Sequence, residues 1–219
     1  MPAVRMLGAD AAMQLVQTGA TIMVGGFGLV GAPLALLEAL GRSGASELTV
    51  ISNNLGEPGQ GLGALLRQGR IARAIGSYFT TNPEVISAHE AGTLEVTLLP
   101  QGTMTEAIRA GGAGIPAFFT PTGAGTALAQ GKETRRFGER LCVLEQALYA
   151  DVALIKAHVA DRLGNLVYEK TARNFNPVMA TAAACVIVEV DRIVDVAELD
   201  PEAIVTPHVF VDVLVERAA

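Results

Sequence analysis

From residue 20 onward, short apolar runs alternate with stretches whose apolar positions recur at helical spacing. Ala20-Thr21-Ile22-Met23-Val24 is the first β-rich run, and it ends in Gly25-Gly26. Residues 33–40 predict a helix, with Pro33 suited to the first turn and Leu34, Leu37 and Leu40 on one face. Gly41 and Gly44 are expected to end it. Residues 47–52 predict the next strand, stopping at Asn53-Asn54. The same reading gives a helix over 61–68, a strand over 71–77, a helix over 83–90, a strand over 94–99 and a helix over 103–110. Strands separated by helices imply a parallel sheet covered on both faces, with right-handed crossovers.

The rhythm breaks after Ala110. Residues 111–131 are too rich in glycine and proline for regular elements. Residues 131–144 predict a hairpin: a polar strand, a turn at Gly138-Glu139, then Leu141-Cys142-Val143-Leu144. A β-rich lobe over about 115–148 is therefore expected as an insertion. Strands resume over 151–156, 186–190 and 209–215, with a helix between 177 and 184. The fold class is α/β, an open α/β/α sandwich with a mostly parallel sheet, in one domain over 1–219.

Composition sharpens this picture in two ways. Only 17% of the 219 residues are charged, against about 25% in ordinary soluble chains, so a partner is expected to cover part of the surface. The net charge of −6 excludes a nucleic-acid footprint, since Arg135, Arg136 and Arg140 are interleaved with Glu133 and Glu139. Cys142 and Cys185 lack C-x-x-C spacing and read as reduced, buried thiols. The nearly apolar run 178–188 is too short for the ~18 residues that span a bilayer. The first residues show no signal-peptide layout, so a cytoplasmic location is expected.

Open parallel sheets bind ligands outside the carboxyl ends of their strands. Three groups follow such ends: Gly25-Gly26-Phe27-Gly28, Ser52-Asn53-Asn54 and Pro100-Gln101-Gly102. They should converge, two supplying neutral amides and one bare backbone. Gly26, Gly28 and Gly31 satisfy G-x-G-x-x-G. A dinucleotide site also needs an acidic residue about 20 positions on, at the end of the second strand. That strand ends in Ser52-Asn53-Asn54, which argues against nicotinamide binding. His89, His158 and His208 show no metal-ligand spacing, so no metal is expected. No G-x-S-x-G occurs, and Ser52 has no nearby base. His158 reads as a packed or loop histidine. Lys156 ends a predicted strand and is a candidate, with a solvated lysine as the alternative. Lys170 and Arg173 are candidates for an acyl carboxylate or phosphate, with a surface ion pair as the alternative. Glu57, in Gly56-Glu57-Pro58-Gly59, reads as a solvated loop residue. A ligand crevice without an evident nucleophile points to chemistry completed by another chain.

Several blocks, in order over roughly residues 15–215, carry a family resemblance. Thr21-Ile22-Met23-Val24-Gly25-Gly26-Phe27 with Gly31-Ala32-Pro33 resembles the A-type half of family I CoA transferases. So do Ile51-Ser52-Asn53-Asn54, Leu99-Pro100-Gln101-Gly102-Thr103, the glycine-rich run 108–114, Phe119-Thr120-Pro121-Thr122-Gly123 and Ala172-Arg173-Asn174-Phe175-Asn176-Pro177. The resemblance implies a fold related to ribose-5-phosphate isomerase and ping-pong transfer of CoA between carboxylic acids. It implies a nucleophilic glutamate in a Ser-Glu-Asn-Gly-like block of a B-type partner chain; no such block occurs here. It further implies an oxyanion-hole role for Gln101, acyl-side contacts from Asn53 and Asn54, and a CoA-binding turn of Gly25, Gly26, Phe27, Gly28 and Gly31. No permanently bound cofactor is implied; the CoA thioester is substrate, and the assembly expected is α2β2. A 3-oxoacid such as acetoacetate, with succinyl-CoA as donor, leads over 3-oxoadipate and over acetate or butyrate. Two further readings remain: an acyl-CoA-binding domain without catalysis, and a sugar-phosphate isomerase or deaminase of the related fold.

Overall fold

A computed structural model describes residues 4–217. In chain order the strands are β1 (Arg5–Met6), β2 (Thr21–Val24), β3 (Leu48–Ile51), β4 (Ile71–Gly76), β5 (Glu95–Leu98), β6 (Ala117–Thr120), β7 (Thr134–Phe137), β8 (Arg140–Gln146), β9 (Ala150–Asp161), β10 (Leu166–Val167), β11 (Ala183–Val194) and β12 (Val213–Glu216). The helices are α1 (Ala9–Met13), α2 (Leu34–Ser43), α3 (Leu62–Arg67), α4 (Pro83–Glu90), α5 (Gln101–Gly112) and α6 (Asn176–Ala180).

The main sheet has the order β1-β12-β11-β9-β2-β3-β4-β5, with β10 beside β9. Every neighbouring pair along that order is parallel; β10 alone runs antiparallel to its neighbour. The chain walks outward from β2 to β5, then returns to lay β9 on the other side of β2. Chain order therefore reverses between β2 and β9, the kind of switch point where open sheets form crevices.

Alternate side chains of each strand enter separate cores. Ile22, Val24, Val152, Leu154 and Ile187 pack with Met13, Leu36, Leu40, Leu65 and Val85, under α1 to α4. Met23, Ala153, Ile155, Val186 and Val188 pack with Met104, Ile108 and Met179, under α5 and α6. The expected lobe is present as a separate antiparallel sheet in the order β6-β8-β7. Lys132 Nζ lies 2.8 Å from both carboxylate oxygens of buried Glu145, tying the glycine-rich loop to that sheet.

Five expectations need correction. Gly41 lies inside α2; the helix ends at Gly44, whose φ of 88° is left-handed. α5 begins at Gln101 rather than 103, because Pro100 already occupies the cap and its carbonyl accepts from Met104 N–H. The 111–131 segment is not wholly irregular, since it completes α5 and contains β6. β9 and β11 run twelve residues each, well beyond 151–156 and 186–190, and pair along almost their whole length. The helix expected over 177–184 is α6, which stops at Ala180, and residues 208–210 form a 3-10 turn before β12.

Candidate functional site

The carboxyl ends of β2, β3, β4 and β5 open onto one cleft of about 450 Å³, lined by Phe27, Gly28, Asn53, Asn54, Ser77, Tyr78 and Gln101 among others. Each end is positioned by its strand. Ser52, buried after β3, donates its hydroxyl to Val24 O at 2.8 Å and so ties the ends of β2 and β3 together. Asn53 follows and is 1% exposed. Its main-chain carbonyl accepts from Ser77 N–H and Tyr78 N–H at 3.1 and 3.0 Å, which locks β4's end against β3's.

The Asn53 side chain is oriented by two donors. Ser77 Oγ donates to Asn53 Oδ1 at 2.6 Å and Gln101 Nε2 donates to it at 2.8 Å. With its carbonyl so occupied, the Asn53 NH2 group donates to no described residue. Asn54 repeats the pattern: Oδ1 accepts from Gly56 N–H at 3.0 Å, leaving its NH2 group without an acceptor among the described residues. Buried polar groups are normally satisfied. Two nearly buried amides with unmatched donors beside an open cleft are therefore a site for an acceptor-rich ligand. Gln101 stands on the first turn of α5, exposed at the cleft, where the unpaired N–H groups of the helix start add positive potential.

The glycine turn forms the opposite wall. Phe27 and Val30 exchange main-chain hydrogen bonds at 3.0 and 3.2 Å, with Gly28 at φ 63° inside the turn. Of the five turn residues singled out by sequence, Phe27 and Gly28 line the cleft. Gly25 and Gly31 face the 172–176 segment instead: a side chain at Gly25 would collide with Asn176 Oδ1, and one at Gly31 with Ala172 O. Gly26 donates its N–H to Asn174 Oδ1 at 3.0 Å.

The remaining candidates lie elsewhere or differ from expectation. Glu57 is at the exposed rim of the cleft, in a tight turn paired with Gln60. Lys156 lies within β9 rather than at its end, and its ammonium pairs with Asp191 at 3.1 Å. His158, two residues on, is a strand residue and not a loop one; its Nδ1 lies 3.1 Å from the same carboxylate. Lys170 and Arg173 sit on an exposed 3-10 turn outside the cleft lining, Lys170 beside Glu169 at 3.2 Å. Among the described residues, no group of three or more His, Cys, Asp or Glu stands close enough to hold a metal. Also among them, no helix is long and apolar enough to cross a membrane.

Sequence reasoning missed Ser77 and Tyr78, which the strand-end rule would have found had it been applied to β4 as well. It also missed Glu189. This residue is 1% exposed on β11, and its Oε2 accepts from Ala35 and Leu36 N–H at 2.8 and 3.2 Å, closing the N-terminus of α2. The signal was a lone glutamate in an apolar run, since such a residue is almost never buried without partners.

A family model described as coenzyme A transferase matches residues 6–217. The chain is 54% identical over 204 residues to the A-type half of the succinyl-CoA:3-ketoacid coenzyme A transferase of Xanthomonas campestris pv. campestris (strain B100), covering 93% of this chain and 84% of the relative. It is 50% identical over 202 residues to the A-type half of the 3-oxoadipate CoA-transferase of Pseudomonas putida, covering 91% and 87%. Its fold matches that of an acyl-CoA transferase apoenzyme from Escherichia coli O157:H7 with a TM-score of 0.91 at 23% identity. That match covers 98% of this chain but 47% of the other, so the chain spans about half of that longer protein.

Proposed function

The chain belongs to the coenzyme A transferase family, and from that premise we propose that it is the A-type half of a heteromeric 3-oxoacid CoA-transferase. CoA passes from an acyl-CoA, succinyl-CoA being the expected donor, to a 3-oxoacid such as acetoacetate. One observation carries the reading. Asn53, Asn54 and Gln101 bring neutral amides to a single cleft, and the one carboxylate lining it, Glu57, is exposed at the rim.

The chemistry suits such a cleft. A glutamate carboxylate of the partner attacks the thioester carbonyl; the tetrahedral oxyanion collapses, expelling CoA thiolate and leaving a mixed anhydride. The thiolate then attacks the glutamyl carbonyl, the acyl group departs as its carboxylate, and a glutamyl-CoA thioester remains. The acceptor carboxylate reverses the sequence. No proton is gained or lost over the cycle, so this half supplies oriented donors rather than an acid or base. Gln101 and Asn53 donate to the oxyanion, Asn54 to the acyl side, and Phe27 and Gly28 flank the thioester.

The test is co-expression with a B-type chain, followed by acyl-CoA assays against acetoacetate, 3-oxoadipate, acetate and butyrate. The expected result is no turnover by the isolated chain, turnover by the pair with acetoacetate preferred, and a hydroxylamine-sensitive CoA adduct on the partner. Turnover by the isolated chain, or an adduct on it, sinks the proposal. A cytoplasmic α2β2 assembly belongs to the same reading, and sedimentation of the pair checks its stoichiometry.

A further inference from the structure

We infer that Asn174 and Asn176 are positioning residues for the transfer reaction, clamping the 25–31 turn and through it the Phe27–Gly28 wall of the cleft. The kinetic part of this inference rests on the transferase reading above.

The clamp grips both arms of the turn. On the entering arm, Asn174 Oδ1 accepts from Gly26 N–H at 3.0 Å. On the leaving arm, Asn174 Nδ2 donates to Val30 O at 3.0 Å and Asn176 Nδ2 donates to Gly31 O at 3.0 Å. The clamp is anchored across the switch point of the sheet. Asn176 is fully buried, and its Oδ1 accepts from Lys156 N–H on β9 at 3.0 Å while its Nδ2 also reaches Ala172 O at 2.9 Å. Glycine is required at Gly25 and Gly31 because these side chains and the Ala172 carbonyl occupy the space of a Cβ. The most conspicuous sequence feature of the site is thus shaped by a second segment almost 150 residues away.

Two observations point beyond packing. Asn174 has φ 21° and ψ −119°, a conformation that residues with a Cβ rarely adopt, and its side chain also accepts from Phe175 N–H at 2.7 Å. The turn it holds contributes little to either core, since Phe27 and Val30 are 53% and 54% exposed. Strain and hydrogen bonds are concentrated on a segment whose tip faces the cleft. At that tip, Gly28 N–H and Leu29 N–H donate to no described residue.

The chain contains no tryptophan, so Phe27→Trp introduces a single reporter at the turn. In the isolated chain, Asn174→Ala added to Phe27→Trp should speed the decay of tryptophan anisotropy, with the far-UV melting curve nearly unchanged. In the native-Phe27 chain paired with a B-type partner, Asn174→Ala should raise KM for acyl-CoA about tenfold and lower kcat less than about threefold, the signature of a misplaced binding wall. Asn174→Gly separates clamp from strain, because glycine relaxes the backbone yet removes the amide; it should behave as Ala does. Asn174→Asp, which keeps the acceptor for Gly26, should fall between, and it replaces Ala if Ala fails to fold. Wild-type anisotropy and KM in the Gly and Ala variants would overturn the inference. An inactive wild-type pair would instead overturn the transferase reading, with the anisotropy still deciding the clamp.

Discussion

The carboxyl edge of the sheet carries two contrasting neighbourhoods. Past β2 to β5 stand the neutral amides of Asn53, Asn54 and Gln101, their carbonyls or helix position fixed and donor capacity left over. Toward the ends of β9, β11 and β12 stand Lys156, His158, Asp191 and Arg217, with Glu189 beneath them. There Asp191 lies 3.1 Å from Lys156 Nζ, 3.1 Å from His158 Nδ1 and 3.9 Å from Arg217 Nη1. Burial opposes ionisation of Asp191, but hydrogen bonds from His158 and Lys156 outweigh it and hold its pKa below the ordinary value. The charged side answers its own charges, and half-exposed ion pairs of this kind contribute only about 0–1 kcal/mol. The neutral side has capacity to offer a ligand. Unmatched donors locate the chemistry better than charge does.

The largest expected effect lies on the neutral side. Gln101→Ala removes an amide aimed at the cleft and one of the two donors that orient Asn53. Loss of one oxyanion donor costs about 3 kcal/mol, or roughly 10²- to 10³-fold in kcat. Steady-state assays of the variant paired with its partner should show that loss, while sedimentation shows assembly intact. A rate within threefold of wild type would place the oxyanion elsewhere.

What could be read from the sequence follows the same division. The β2 to β5 half was legible because its signals are local. α4 lies over Pro83–Glu90 as expected, with Pro83 in its first turn and Asn82 accepting from Glu84 N–H as cap. The three strand ends, each marked by glycine or amide residues, do meet in one cleft. The β9–β11 half was less legible because its extent is set by pairing between segments 33 residues apart. After Lys156, polar and apolar residues alternate as in any half-exposed strand. It is a strand because Lys156 and His158 find Asp191 on β11 while Ala157 and Ala160 enter the core on the other face. Gly41 misled for a similar reason: an added Cβ would lie 3.1 Å from Gln68, so it reflects close approach of neighbouring helices rather than a helix end. The roles of Asn174 and Asn176 were invisible locally, since their partners lie on the far side of the switch point.

A smaller effect should appear on the charged side. Burial raises the pKa of Glu189, against the lowering influence of the Leu36 N–H and of the Lys156 and Arg217 charges. A raised carboxyl pKa means that the folded chain holds this proton more tightly than the unfolded one. Its stabilisation is therefore complete below the ordinary value of 4.5 and is lost as pH rises through the higher folded value. Glu189→Gln does not titrate and keeps an oxygen to accept from Ala35 and Leu36. The melting temperature of the variant should fall less steeply than that of wild type as pH rises from 4.5. Equal slopes would mean that the buried carboxyl is not a source of pH dependence.

The smallest effect is the one that most directly tests the contrast, because Glu57 is the single carboxylate lining the neutral cleft. If Glu57 were the nucleophile, Glu57→Gln would abolish turnover, and the adduct would form on this chain. Its setting argues otherwise. It is exposed, it lies in a glycine-flanked turn closed by the Gln60 N–H to Glu57 O bond at 3.0 Å, and no hydrogen bond from a described residue orients its side chain. A nucleophile needs a fixed approach to the carbonyl, and a misplacement of about 1 Å can cost 10²-fold. Glu57→Gln is therefore expected to leave kcat within about twofold of wild type when paired with the partner, with any change confined to KM. A thousandfold loss would move the nucleophile onto this chain and erase the distinction between the two edges.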